Sequence, residues 1–262
     1  MKNYKIGVIG GSGIYTLQDY KFFAGNFDNE YKDSELGIEK YKFSNCEIYF
    51  LSRHGKNHMI LPHEIDYLTN IKAFDDLKVD CIISFCTVGS LDSNFQPGLY
   101  VTPKDIIDFT YNRKGWNYTK ENKHVDIQPV FGEDLMRVCK QLFNNINVPL
   151  NNEGTLVVIE GPRFATLAEQ NMYKIFGGSF LNMTQAQEIY LSHVFQIPFI
   201  SLCHITDLTS IVNKNYDLTS SDAISVFKSN YSKVERILSA LVKYLSENKP
   251  EIKYHSDKQT FV

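Results

Sequence analysis

Ile48-Tyr49-Phe50-Leu51-Ser52-Arg53-His54-Gly55 is an apolar run that ends in two cation-capable side chains and a glycine. A continuous apolar run reads as a strand buried on both faces, so Arg53 and His54 stand where that strand breaks into a loop. Two such side chains at the carboxyl end of a strand make an anion site. The amino-terminal segment has the same design. Lys5-Ile6-Gly7-Val8-Ile9 reads as a strand, and Gly10-Gly11-Ser12-Gly13 turns directly after it. Glycines let backbone amides converge on an oxyanion, and Ser12 adds a hydroxyl donor. The two elements together point to a phosphate.

Each motif has a plainer reading when taken alone. The glycine run could be a tight turn, and Arg53-His54 a surface pair. A dinucleotide fingerprint needs Gly-x-Gly-x-x-Gly, but Gly11-Ser12-Gly13 is followed by Ile14, Tyr15 and Thr16, so the third glycine is missing. No Gly-Lys-Ser/Thr follows, which excludes a Walker loop. His54 and His58 have metal-like spacing, but Gly55 opposes a helix there and no third ligand is placed, so no metal is expected.

The 262 residues are 43% hydrophobic and 22% charged, an ordinary globular composition with length for a substantial core. A formal net charge of -3 offers no basic field for nucleic acid or an anionic membrane. The chain starts in a strand rather than a cationic, apolar leader, and no apolar run approaches the ~20 residues of a membrane span. Its five cysteines, Cys46, Cys81, Cys86, Cys139 and Cys203, lack a Cys-x-x-Cys spacing and mostly have apolar flanks. They read as reduced, mostly buried thiols of a cytoplasmic protein.

Strands are expected at 5–9, 47–52, 81–86, 98–101, 105–109, 155–159, 180–183 and 198–206. Helical periodicity falls between them, at 65–77, 133–143, 166–175, 186–194 and 223–245, with Ser220-Ser221-Asp222 an N-cap for the last. This alternation predicts an α/β fold: a single domain with a central mixed, mostly parallel β-sheet flanked by helices. The domain spans 1–250. Residues 111–126 read as a long mobile loop, and 251–262 as a C-terminal tail that leaves the core.

In such a sheet, ligands collect outside the carboxyl ends of the strands. Those ends would present Ser12, then Arg53 and His54, then Cys86-Thr87-Val88-Gly89-Ser90, where Gly89 permits a sharp reversal. Glu160-Gly161-Pro162-Arg163-Phe164, Asn182-Met183-Thr184 and Thr206-Asp207 complete the set.

That ordered set, with Val88-Gly89-Ser90-Leu91, Gln96-Pro97-Gly98 and Ala168-Glu169, resembles the trimeric purine nucleoside phosphorylases, above all the 5'-methylthioadenosine phosphorylase branch. The resemblance runs from about residue 5 to residue 209. It implies a nucleoside phosphorylase-like fold and a purine salvage reaction. Phosphate attacks C1' of a purine nucleoside and releases the base, with 5'-methylthioadenosine the expected substrate. Inorganic phosphate is then a co-substrate and no cofactor is needed. The resemblance also implies a homotrimer, with no nucleic-acid or membrane partner.

Carried over residue by residue, the phosphate ligands would be Ser12, Arg53, His54 and Thr184. Asp207 would serve the leaving base, with His54 as its catalytic companion. Phe164 would offer a flat face, and Met183 would lie under the ribose. Cys86 and Thr87 stand near the phosphate loop in place of other small residues. His124 matches a residue that enters a neighbouring subunit's 5' pocket. Arg163 is a candidate second anion ligand, better read as a structural ion pair. Close adenosine-type relatives carry a second aspartate where this chain has Thr209, and the oxopurine branch carries asparagine at the Asp207 position. A 6-oxopurine or methylthioinosine phosphorylase therefore stays open as an alternative. A hydrolytic nucleosidase would not need the anion cage, and a silent nucleoside-binding paralogue finds support only in Thr209 and the Cys86 loop.

Overall fold

In chain order the strands are β1 (Tyr4–Gly10), β2 (Glu39–Phe43), β3 (Cys46–Ser52), β4 (Cys81–Ser90), β5 (Tyr100–Val101), β6 (Asp105–Phe109), β7 (Lys123–Val125), β8 (Leu150–Asn151), β9 (Thr155–Ile159), β10 (Phe180–Asn182), β11 (Phe199–Leu208) and β12 (Gln259–Phe261). The helices are α1 (Lys21–Ala24), α2 (Tyr67–Asp76), α3 (Glu133–Asn145), α4 (Leu167–Ile175), α5 (Gln185–Phe195) and α6 (Tyr231–Asn248). They belong to a computed structural model that describes residues 3–26, 28, 37–43, 45–55, 58–115, 117–119, 123–213, 231–254 and 259–261.

The apolar run of β1 lies between β3 and β4, parallel to both, with Gly10 opposite Ser52 and Ile9 opposite Ser84. β4 also pairs in parallel with β11, while its last residues meet β10 antiparallel. β10, β9 and β6 continue in parallel, and β2 lies antiparallel on β3 at the opposite edge. The sheet is therefore mixed and mostly parallel, as its apolar strands predict. Ten of the described strands belong to it.

Alternation along β1 divides the core. Tyr4, Ile6 and Val8 join one cluster, which α6 covers with Val234, Ile237, Leu238, Leu241, Val242 and Leu245. That spacing is one stripe of a helix. Ile9 joins the other cluster, under Ile71 and Phe74 of α2 and Ile189 and Leu191 of α5. A Cβ on Gly7 would stand 3.0 Å from the Phe74 ring, so glycine there lets α2 lie close to the sheet. Helix starts follow local chemistry. The Asp66 side chain accepts from Thr69 N before α2, and Thr166 and Glu169 form a capping box on α4.

Several expectations are revised. β4 does not end at 86 but continues to Ser90, so Gly89 lies within a strand and not at a reversal. Residues 111–126 are not simply a mobile loop. Arg113 is buried, and Lys123–Val125 pairs with Gln259–Phe261. The described residues of the 251–262 tail also do not leave the core, since Ile252 packs on it and the Tyr254 hydroxyl lies 2.6 Å from His193 Nδ1. The short strands β2, β7, β8 and β12 have no clear sequence signal. The expected N-cap at 220–222 and the start of the last helix lie outside the described residues. All five cysteines are free and buried. Among the described residues no helix is long and apolar enough to cross a membrane, and no cluster of three or more His, Cys, Asp or Glu could hold a metal.

Candidate active site

Parallel pairing brings the carboxyl ends of β1 and β3 to the middle of β4. Arg53 N donates to Gly10 O at 2.9 Å, and the side chain turns inward until it is 2% exposed. Its Nε meets Glu188 Oε1 at 2.5 Å, and its Nη2 meets Glu188 Oε2 at 2.9 Å and Ser84 Oγ at 2.6 Å. Nη1 donates to Phe85 O at 2.9 Å. Counting one N–H on Nε, one on Nη1 and two on Nη2, four of the five guanidinium donors are engaged. Nη1 stands 2.5 Å from where a Cβ on Gly11 would be, so only glycine leaves room for this packing. Burial works against the guanidinium charge, but Glu188 outweighs it and raises the pKa. Arg53 is thus an oriented donor whose charge is already matched, rather than a free cation. Ser84 and Gln185 also bond Glu188, and Ser201 donates to Gln185 Oε1.

His54 is buried, and its Nδ1 lies 2.9 Å from Ile60 O. A carbonyl only accepts, so Nδ1 carries the proton and Nε2 keeps a lone pair. Burial, aided by the Arg53 charge, lowers the pKa to about 3. His54 is therefore a neutral ring near pH 7, so of the two cation-capable side chains only Arg53 is charged there. Its ring lies 4.4 Å from that of His58, which Tyr15 Oη approaches at 3.3 Å. Ser12 is half-buried on the turn closed by Ile14 N to Gly11 O at 3.0 Å.

Thr184 is the buried N-cap of α5, but its side chain makes no capping bond. Asn182 does that work. Its Oδ1 accepts from Thr184 N at 2.7 Å and Gln185 N at 2.9 Å, while its Nδ2 donates to Thr87 O at 3.0 Å. These first amides of α5 are already occupied, which removes them from the dipole assistance that a bare helix start would offer. The same three bonds tie Thr184 to Thr87.

β11 carries a register shift between Ile205 and Asp207, and Asp207 then lies opposite Gly89. Such bulges re-aim a side chain. A Cβ on Gly89 would stand 2.7 Å from Asp207 Oδ2 and 3.3 Å from Thr209 Cγ2. Gly89 thus houses the carboxyl, and Thr206 Oγ1 donates to Asp207 Oδ1 at 2.6 Å. Asp207 is half-buried. Thr209 is buried, with its methyl toward Gly89 and its hydroxyl sealed from solvent without a hydrogen-bond partner. Cys86 lies in register with Cys203, their sulfurs 3.2 Å apart.

Met183 is half-buried against Gly161, whose absent Cβ would stand 2.6 Å from Met183 Sδ. Phe164 is 57% exposed. Arg163 pairs with Glu169 through Nη1 at 2.8 Å and Nη2 at 2.6 Å, a structural ion pair. His124 is exposed on β7, opposite Thr260. The structure therefore gathers Arg53, Thr87, Thr184 and Asp207 along β4 and its neighbours, while Phe164 stands on the surface and His124 on a separate two-stranded sheet.

Glu188 and Arg113 are structural members that the sequence reading did not single out, and Asn182 appeared there only as part of the Asn182-Met183-Thr184 motif, with no role of its own. Glu188 had a readable signal, since a glutamate among Ala186, Ile189, Leu191 and Val194 on a helix buried nearly all round requires a partner. Arg113 had none, because an arginine in a polar stretch is commonplace, and the motif holding Asn182 did not show that its side chain caps the helix.

β4, paired on both edges, meets a buried arginine at Phe85 and houses a carboxyl at Gly89, so this α/β sheet gathers polar groups along one strand. Residues 5–243 match the Phosphorylase superfamily, and the chain belongs to it. It is 31% identical to an S-methyl-5'-thioadenosine phosphorylase of Thermofilum pendens over 95% of each chain, and 31% identical to that of Pyrococcus furiosus over 94% of each. A probable 6-oxopurine nucleoside phosphorylase of Dictyoglomus turgidum is 33% identical over 91% of this chain and 90% of its own. The fold matches that of methylthioadenosine phosphorylase from Schistosoma mansoni in complex with adenine. The TM-score is 0.82 at 24% identity, over 94% of this chain and 93% of the other.

Proposed function

We propose that this chain phosphorolyses 5'-methylthioadenosine, giving adenine and 5-methylthioribose 1-phosphate. The observation that carries the reading is that one segment of β4, Phe85 to Gly89, borders both ends of the site. Phe85 O meets Arg53 beside Gly11, and Gly89 houses the Asp207 carboxyl. Relatives named for this reaction match nearly the whole chain.

In this reading, a phosphate oxygen forms the bond to C1' while the C1'–N9 bond breaks and its electron pair passes to the purine. The sugar becomes oxocarbenium-like, and the bound anion both stabilises it and attacks it. The free Nη1–H of Arg53, the hydroxyls of Ser12 and Thr184 and the turn amides serve as donors to phosphate. His54, neutral with its Nε2 lone pair, accepts a hydrogen bond from a protonated phosphate oxygen and stays neutral. Asp207, when protonated, donates at N7 and accepts from a 6-amino group. Cys86 and Thr87 line the anion end. Met183 and Phe164 flank the sugar and base, and Thr209 lies behind the base. Phosphate is a co-substrate and no organic cofactor or metal takes part.

The 6-oxopurine relative and the neutral Thr209 favour a second reading, in which oxopurine nucleosides are also turned over. We further propose a cytoplasmic homotrimer acting in purine salvage, in which exposed Phe164, Leu167, Ile175 and Phe176 meet a neighbouring copy and His124 reaches its site. Steady-state phosphorolysis of methylthioadenosine, adenosine, methylthioinosine, inosine and guanosine at saturating phosphate tests the substrate. Release of adenine from methylthioadenosine only when phosphate is present is the expected result, and phosphate-independent release overturns it. A monomeric mass by light scattering at concentrations giving full activity overturns the trimer.

A further inference from the structure

We propose that Arg113 is a positioning residue for the nucleoside half of the site, acting through the main chain of Met183 and Glu160. The proposal rests on the phosphorolysis reading above. Arg113 follows β6, in the polar stretch that reads as a loop, yet it is 3% exposed and all five of its N–H groups are used. Nε donates to Glu160 Oε2 at 3.1 Å. Nη1 donates to Pro62 O at 2.6 Å and to Tyr67 Oη at 2.7 Å. Nη2 donates to Glu160 O at 2.7 Å and Met183 O at 2.9 Å.

Three of these five acceptors are main-chain carbonyls from separate segments. A buried arginine that served only to balance charge would need the Glu160 carboxylate alone. This one pins backbone instead. Glu160 precedes Gly161, on which Met183 Sδ packs, so a single guanidinium holds the main chain on both sides of the Gly161–Met183 contact. Its planar fork reaches the Pro62 and Met183 sides at once, which the point charge and three donors of a lysine cannot reproduce. Thr184 follows Met183 directly but is held independently by Asn182. Disturbing Arg113 therefore moves the sugar-facing residue more than the phosphate-facing one.

Three variants test this: Arg113→Lys, Tyr67→Phe and Glu160→Gln. Tyr67→Phe removes an Nη1 partner and leaves both Nη2 carbonyl bonds in place. Binding of methylthioadenosine without phosphate, and of phosphate without nucleoside, is read by calorimetric titration beside the melting temperature and both KM values. Arg113→Lys is expected to weaken methylthioadenosine by about tenfold or more with phosphate affinity changed less than about twofold. Tyr67→Phe is expected to lower the melting temperature and spare nucleoside affinity. If Arg113→Lys does not fold, Glu160→Gln carries the test, with a smaller nucleoside-specific loss expected. A melting change alone in Arg113→Lys, an equal nucleoside loss in Tyr67→Phe, or parallel losses of nucleoside and phosphate would overturn the proposal. Nucleoside binding by the unmodified chain with no phosphate-dependent turnover would overturn the functional reading while leaving this binding comparison decisive. Absence of nucleoside binding would overturn both.

Discussion

Arg53 and Glu188 form a two-contact ion pair across 135 positions of sequence, with Nε–Oε1 at 2.5 Å and Nη2–Oε2 at 2.9 Å. Both side chains are almost wholly buried. Removing one partner of such a pair leaves an uncompensated charge in the core, worth roughly 3–5 kcal/mol of lost stability. Arg53→Ala is therefore expected to lower both urea stability and phosphate use. Joining Arg53→Met to Glu188→Leu separates the two effects, since the buried charges leave together. The double variant is expected to recover most of the stability lost in Arg53→Ala and none of the phosphate use. Recovery of a normal phosphate KM would show that Arg53 serves only the fold.

Gly89 is the second point of leverage. A methyl there would stand 2.7 Å from Asp207 Oδ2, closer than any real contact, so Gly89→Ala must displace the carboxyl. Nucleoside kcat/KM is expected to fall by about tenfold to a hundredfold, the effect of misplacing a reacting group by an ångström. Phosphate KM is expected to change little. An unchanged kcat/KM would remove Asp207 from the chemistry.

Asn182→Ala unties four bonds at once, including that from the Thr184 hydroxyl. Helix α5 loses the cap on Thr184 N and Gln185 N, and Thr87 O loses its donor. Loss of a side-chain cap costs about 0.5–2 kcal/mol, and the stranded buried groups add to it. Chemical denaturation is expected to show that loss, and phosphate KM is expected to rise because Thr87 and Thr184 are no longer held together. A stable variant with a normal phosphate KM would refute this link.

His54 sets a pH dependence. Its folded pKa lies at about 3, through burial first and the Arg53 charge second, against an ordinary 6.5. The unfolded chain binds the proton more readily, so the contribution of His54 to stability is complete above about pH 6.5 and is lost as pH falls toward 3. Within that window one such group changes stability by about 1.4 kcal/mol per pH unit. His204, lowered to about 4 by burial and then Lys233, acts in the same direction. Denaturation between pH 7 and pH 4.5 is expected to show falling stability, with a shallower slope in His54→Asn. An identical slope in the variant would place the titrating group elsewhere.

Much of this protein is written locally. The apolar runs of β1, β3 and β4 specify parallel strands buried on both faces. Gly10 to Gly13 specify a turn after the first, and the order of motifs specifies the family. Such features depend on neighbours within a few residues or on a pattern of fixed period, so one dimension is enough to hold them. The charge state of the site is not of that kind. Whether Arg53 is a free cation depends on Glu188, and whether His54 is charged depends on its burial and on Ile60 O. Whether Gly89 bends the chain or makes room for Asp207 depends on the register of β4 against β11, and whether Arg113 drifts in solvent or holds Met183 depends on the pairing of β6, β9 and β10. Desolvation and long-range hydrogen bonding exist only once distant segments have packed, and tertiary structure alone decides them.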